Sequence, residues 1–153
     1  MEYDVTIRQV QARPTAVVVA GTTWREFPAL WGRLLGEVWD CLRAGGITSG
    51  CRNVMLYRDD VPNVEVGVVL EQPCPLTGRV VTSHLPEGTA AVTVHHGPFA
   101  GVGAAHDAVV AWCSAHGNEP TRTRWEVYGP HNDDPNQQWT EVYWLVTGSD
   151  QSS

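Results

Sequence analysis

The chain has 153 residues, 42% of them hydrophobic and 18% charged, with a net charge of -7. That length suits one domain, able to bury roughly 70% of the surface its unfolded chain exposes, and the composition argues against disorder. The 17 acidic against 10 basic side chains argue against a nucleic-acid backbone or an anionic membrane as partner, since both need clustered cations, and suit a cationic ligand.

Strand signals come first, at Val5 to Val10 and Ala16 to Ala20, interrupted by Gln11-Ala12-Arg13-Pro14-Thr15; a bulge or two short strands is expected there. Phe27, Leu30, Trp31, Leu34, Leu35, Val38, Trp39 and Leu42 then form one continuous apolar stripe of helical period. Thr23-x-x-Glu26 reads as a capping box at its start, Pro28 allows a later start, and Gly45-Gly46 stops it. Val54 to Tyr57 and Val64 to Leu70 read as strands around the turn-forming Asp59-Asp60 and Pro62. Gln72 to Gly78 reads as a loop or crossover. Thr89 to His95 is the next strand. A weaker helix follows, with Phe99, Val102, His106, Val109, Val110 and Cys113 on one face and Gly117 as its cap. Arg124 to Tyr128 and Thr140 to Val146 are the last strands, separated by the turn Asn132-Asp133-Asp134-Pro135; residues 148–153 read as a flexible tail.

The two halves repeat one order: strand, Gly, helix, Gly, strand ending in Tyr, Asp-Asp turn, strand carrying Glu. Gly21 matches Gly97, Tyr57 matches Tyr128, Asp59-Asp60 matches Asp133-Asp134 and Glu65 matches Glu141. The expected fold is therefore α+β: a tandem, pseudo-twofold β-α-β-β repeat forming an antiparallel sheet with two helices on one face. The modules span about residues 3–72 and 84–147 of a single domain, 1–147. The space near the pseudo-twofold axis is a natural pocket.

Cys41, Cys51, Cys74 and Cys113 make no C-x-x-C pair, and the six histidines show no metal-binding spacing. No metal and no cofactor are expected. The start carries no secretory signal and no apolar run is long enough to span a bilayer, which points to the cytoplasm with free thiols. His95 and His96 are adjacent on a strand and point to opposite faces.

Leu85-Pro86-Glu87-Gly88, His95-His96-Gly97-Pro98-Phe99, Trp112, Glu126-Val127-Tyr128, Asp134-Pro135 and Thr140-Glu141-Val142-Tyr143 together, in this order, resemble the GyrI-like family, the effector-binding domain of AraC-type and MerR-type regulators. The resemblance covers about residues 3 to 146. Phe99 stands where the family has Tyr, and Trp144-Leu145-Val146 where it ends in an apolar residue and Pro. The resemblance implies a stand-alone small-molecule (multidrug) binding protein for flat, hydrophobic, preferentially cationic molecules. It places the charge partner at Glu126 or Glu141, with Phe99 and Tyr128 as walls. No DNA-binding segment is expected, and a monomer or weak homodimer is.

The residues support this reading independently. Seven Trp against two Phe supply flat faces for cation–π contact. Glu126 shares a strand face with Tyr128, and Glu141 with Tyr143. Trp31 and Trp112 stand beside the expected pocket, although core packing also explains them. Met55 stands where the second module has Glu126, and an exposed Glu65 is expected, so the site belongs mostly to the second module. The resemblance also implies two other functions, each found among some relatives, that fit the same residues. One is a hydrolase of cyclopropane-type electrophiles, with Glu126 or Glu141 as general acid or base; the other is a protein-binding inhibitor.

Overall fold

The computed structural model describes residues 3–130 and 133–147. The proposed tail at 148–153, His131 and Asn132 lie outside them. The elements in chain order are strands β1 (Thr6–Val10) and β2 (Pro14–Gly21), helix α1 (Phe27–Ala44), strands β3 (Asn53–Tyr57), β4 (Asn63–Val69), β5 (Val81–His84) and β6 (Gly88–His96), helix α2 (Val102–Ala115), and strands β7 (Pro120–Tyr128) and β8 (Trp139–Val146). A short 3-10 turn, Phe99–Gly101, leads into α2.

These elements form two compact units, Ala12–Pro86 and Met1–Gln11 with Glu87–Ser153. Each is a β-α-β-β module, and each sheet is antiparallel throughout. The strand orders are β5-β2-β4-β3 in one and β1-β6-β8-β7 in the other. The two units therefore share one topology, as the sequence repeat predicts: an outer strand, then the first, last and middle strands of the module. The expected interruption is shorter, residues 11–13, since Pro14 and Thr15 already belong to β2; it separates two strands that join different units. β1 pairs with β6, Thr6 opposite Val92, while β5 fills the matching edge position beside β2. β5 carries no strand signal in its sequence and is an addition to the expected elements.

Helix α1 forms because its apolar stripe has somewhere to go: Phe27, Leu34, Val38, Cys41 and Leu42 are buried. It starts at Phe27 with Pro28 in its first turn, while Thr23 Oγ1 accepts a hydrogen bond from the Glu26 amide at 3.1 Å. It ends in a Schellman motif: Gly46, at φ +93°, donates to the Arg43 carbonyl, and Ile47 donates to that of Leu42. Helix α2 ends the same way, with Gly117 at φ +73° and Asn118 donating to the Cys113 carbonyl at 2.9 Å. A side chain at either glycine would strain that left-handed turn.

In α2, Val102, Ala105, Val109 and Cys113 are buried and pack with Ala91, Val142 and Val146. The helical face differs from expectation at one point: Val110 is 37% exposed, because the stripe that meets the sheet runs through Ala105 and Val109. The Asp-Asp turns form as expected. Asp59 Oδ1 accepts from the amides of Val61 and Asn63, and Asp134 caps the 3-10 turn Pro135–Gln137 through the Asn136 amide. None of the four cysteines forms a disulfide. Among the described residues no helix is long and apolar enough to cross a membrane.

Candidate ligand site

Register decides which functional side chains meet. Across β7 and β8, Glu126 lies opposite Val142, Tyr128 opposite Thr140 and Arg124 opposite Trp144. Those residues share the face on which α2 packs, since Val142 and Val146 belong to the α2 core. Trp125 lies opposite Tyr143, and Val127 opposite Glu141, so this set occupies the other face. The two candidate glutamates are thus on opposite sides of one sheet.

On the helix face, Glu126 is 3% exposed. Its Oε1 accepts a hydrogen bond from the Tyr128 hydroxyl, and its Oε2 lies 2.5 Å from His106 Nε2 of α2. The other ring nitrogen, His106 Nδ1, accepts from Trp144 Nε1 at 3.0 Å. The Phe99 and Tyr128 rings meet edge to face at 5.3 Å between centroids. Arg124 lies over the Trp144 ring at 5.1 Å. Among the described residues, neither Arg nor Lys pairs with Glu126. A buried carboxylate is costly without compensation; here the compensation is one contact from Tyr128 and one from His106.

On the opposite face, Tyr143 donates to Glu141 Oε1 at 2.8 Å, and its ring stacks on Trp125 at 5.1 Å with an interplanar angle of 2°. Glu141 and Tyr143 are half-buried, and Trp125 is buried. Trp112 packs against the α2 core and stacks on His116 at 4.1 Å. Trp31 is on α1, half-buried, in the other unit. The structure therefore joins Phe99, Tyr128 and Glu126, joins Glu141 and Tyr143 separately, and adds His106, Trp144 and Trp125 to them.

His106 is the residue the sequence analysis assigns to an apolar helix face and nothing more. A signal was present. In the repeat, the half-buried Leu35 occupies its position, and a histidine replacing a leucine of the apolar stripe calls for a polar partner. Glu65 also departs from expectation: it is 4% exposed, not solvated, because Arg58 reaches back across the turn and donates from Nε at 2.5 Å. His95 is likewise buried at 5%, held by the Tyr3 hydroxyl at 2.9 Å and by the Pro98 carbonyl at 3.0 Å, while His96 is exposed.

Two β-α-β-β modules, one of them carrying carboxylates set among aromatic rings, define a small-molecule-binding domain of the α+β class. The chain belongs to the GyrI-like small molecule binding domain family, which matches it over residues 3–147. Compared by sequence with curated proteins, it has no match. In three dimensions it is similar to the C-terminal domain of EcmrR, with a TM-score of 0.76 at 18% identity over 96% of this chain and 99% of that one. It is also similar to SAV2435 in its structure bound to tetraphenylphosphonium, with 0.69 at 16% identity over 97% and 95%. A hydrolase from Listeria innocua gives 0.57 at 14% identity over 94% and 91%. At these identities the likeness is one of fold.

Proposed function

We propose that this protein binds flat, hydrophobic, preferentially cationic small molecules beside Glu126, with Phe99 and Tyr128 as aromatic walls. The observation that carries the reading is the buried Glu126 carboxylate, compensated by a tyrosine and a histidine rather than by Arg. A ligand cation would supply the missing positive charge, and the half-buried rings of Phe99 and Tyr128 would supply the contact area. The tetraphenylphosphonium bound by SAV2435 shares the charge and apolar character but not the flat shape: it is a large apolar cation built on a tetrahedral phosphorus. Glu141 and Tyr143, backed by Trp125, form the second carboxylate–aromatic set, on the opposite sheet face.

The test is fluorescence titration with a flat cationic dye and its neutral isostere, on wild type, Glu126→Gln and Glu141→Gln. Saturable binding that prefers the cation, weakened about tenfold by Glu126→Gln, about 1.4 kcal/mol, is expected. Loss on Glu141→Gln alone would move the site to the Trp125 face. Absence of binding to either dye by a folded protein would remove the proposal.

The His106–Glu126 contact also favours a second reading, a hydrolase in which the pair takes a proton from water. Turnover of a cyclopropane-bearing electrophile, abolished by Glu126→Gln, would establish it; recovery of unchanged ligand after long incubation supports binding alone.

A further inference from the structure

Three residues on three elements, Trp144 of β8, His106 of α2 and Glu126 of β7, form one chain of hydrogen bonds. Its direction follows from chemistry. An indole N–H only donates, so the 3.0 Å contact from Trp144 Nε1 requires a lone pair on His106 Nδ1. The ring proton then sits on Nε2, where it points at Glu126 Oε2, 2.5 Å away. A doubly protonated ring would set Nδ1–H against the indole N–H. The His106–Glu126 contact is therefore a hydrogen bond from a neutral imidazole and not an ion pair, and the carboxylate keeps its full negative charge.

The repeat supplies an internal comparison. The positions of His106, Glu126 and Trp144 correspond in the other unit to Leu35, which is half-buried, and to Met55 and Val68, which are 2% and 0% exposed. There the Tyr57 hydroxyl, mate of Tyr128, donates to the Met55 sulfur at 3.7 Å. Phe27 meets Tyr57 edge to face at 5.6 Å, as Phe99 meets Tyr128 at 5.3 Å. The same scaffold thus closes with three apolar side chains, and the fold does not require the polar chain.

We propose that Trp144 and His106 are specificity-determining residues: they hold Glu126 as an anion whose two oxygens are each already engaged by a donor, so that the site prefers cations lacking N–H groups. This deepens the proposed function and rests on it. A quaternary ammonium or phosphonium needs only the field of the carboxylate. A primary ammonium or a guanidinium needs free, correctly directed lone pairs; Tyr128 and His106 take one on each oxygen, and burial of Glu126 at 3% exposure restricts approach to the others. Arg124 over the Trp144 ring helps hold the indole that sets the tautomer. Trp144 acts through His106, and its role is positioning.

Two measurements on the full chain test the idea. Nitrogen-15 NMR of the His106 ring at neutral pH is expected to show an unprotonated Nδ1 and a protonated Nε2, with Trp144→Phe shifting the ring toward mixed tautomers. The opposite tautomer, or an imidazolium, in wild type overturns the proposal. Titration with naphthylmethyl-trimethylammonium and naphthylmethylammonium is expected to favour the quaternary ion about tenfold in wild type, and His106→Leu, which uses the residue of the other unit, is expected to narrow that ratio several-fold. Trp144→Phe keeps an aromatic ring, removes the N–H, and gives a second reading should His106→Leu fail to fold. Equal binding of both ions would overturn this proposal and leave the cationic-ligand function standing. Binding of neither ion, with the tautomer as described, would remove both, the failure then lying in the functional reading and not in the hydrogen-bond chain.

Discussion

Replacing Glu126 and His106 together by the residues of the other unit, Met and Leu, is expected to stabilise the fold while abolishing cation preference. Glu126→Met alone leaves the Tyr128 hydroxyl and the His106 Nε2–H without their acceptor. Unmade hydrogen bonds cost about 1–3 kcal/mol when buried, and the half-buried state of Tyr128 and His106 places this one near the lower end. His106→Leu alone leaves Glu126, at 3% exposure, with a single donor, and is expected to cost about 2 kcal/mol. The double change removes the buried charge along with its partner and fills the space with side chains of similar size. Such replacements are neutral or stabilising, here by about 1–2 kcal/mol, which for a chain of this length raises the midpoint of thermal unfolding by roughly 2–8 °C. Urea and thermal unfolding of wild type, both single variants and the double variant would be followed by tryptophan circular dichroism. The expected pattern is strong non-additivity: two destabilised singles and a double variant at or above wild type. A double variant destabilised by the sum of the singles would refute the claim that the polar chain is there for ligands and not for the fold.

Arg58→Ala is expected to lower stability by about 2 kcal/mol, because Glu65 at 4% exposure loses the guanidinium that compensates it; denaturant unfolding measures it, and an unchanged midpoint would mean that Arg58 contributes nothing. Burial pushes the Cys113 thiol up, so Cys51 and Cys74, both half-buried, are expected to react with an aromatic disulfide reagent at neutral pH well before Cys113, with mass mapping of the labelled peptides as the readout. The unfolded chain ionises that thiol first, so Cys113 contributes stability at neutral pH that is lost as pH rises through the thiol range; Cys113→Ala should flatten the alkaline end of the stability profile.

The legible parts of the fold were those with a local signal. The α1 stripe, both glycine caps and both Asp turns rest on periodicity or backbone chemistry that acts within a few residues. β5 had no such signal. Its residues are exposed or half-buried, so it shows no alternation, and β1 is equally polar and exposed along most of its length. Nothing within β1 says that it should pair with β6, some eighty positions away in register. The site was half legible for a related reason. Alternation places Glu126 with Tyr128 and Glu141 with Tyr143, each within its own strand. Which of those faces meets the helix depends on the β7–β8 register, which is a property of two strands and the connection between them. The pairing of Trp125 with Tyr143 is the fact that separates the glutamates.

The repeat explains why His106 and Trp144 were harder to read than Glu126. A glutamate on a strand attracts notice as a charge, whereas a histidine in an apolar stripe and a tryptophan near the chain end both pass as core. Comparison of the two units removes that ambiguity, because duplicated scaffolds start from the same packing problem. Where both units keep apolar residues, as at Val38 and Val66 in one unit and Val109 and Val142 in the other, packing is a sufficient cause. Where one unit keeps Leu35, Met55 and Val68 and the other has His106, Glu126 and Trp144, packing is satisfied by either set and cannot be the reason for the polar one. A buried anion among neutral donors lowers stability relative to the apolar alternative, so its presence in one unit alone points to a use outside folding, and the cation-binding reading follows from that asymmetry.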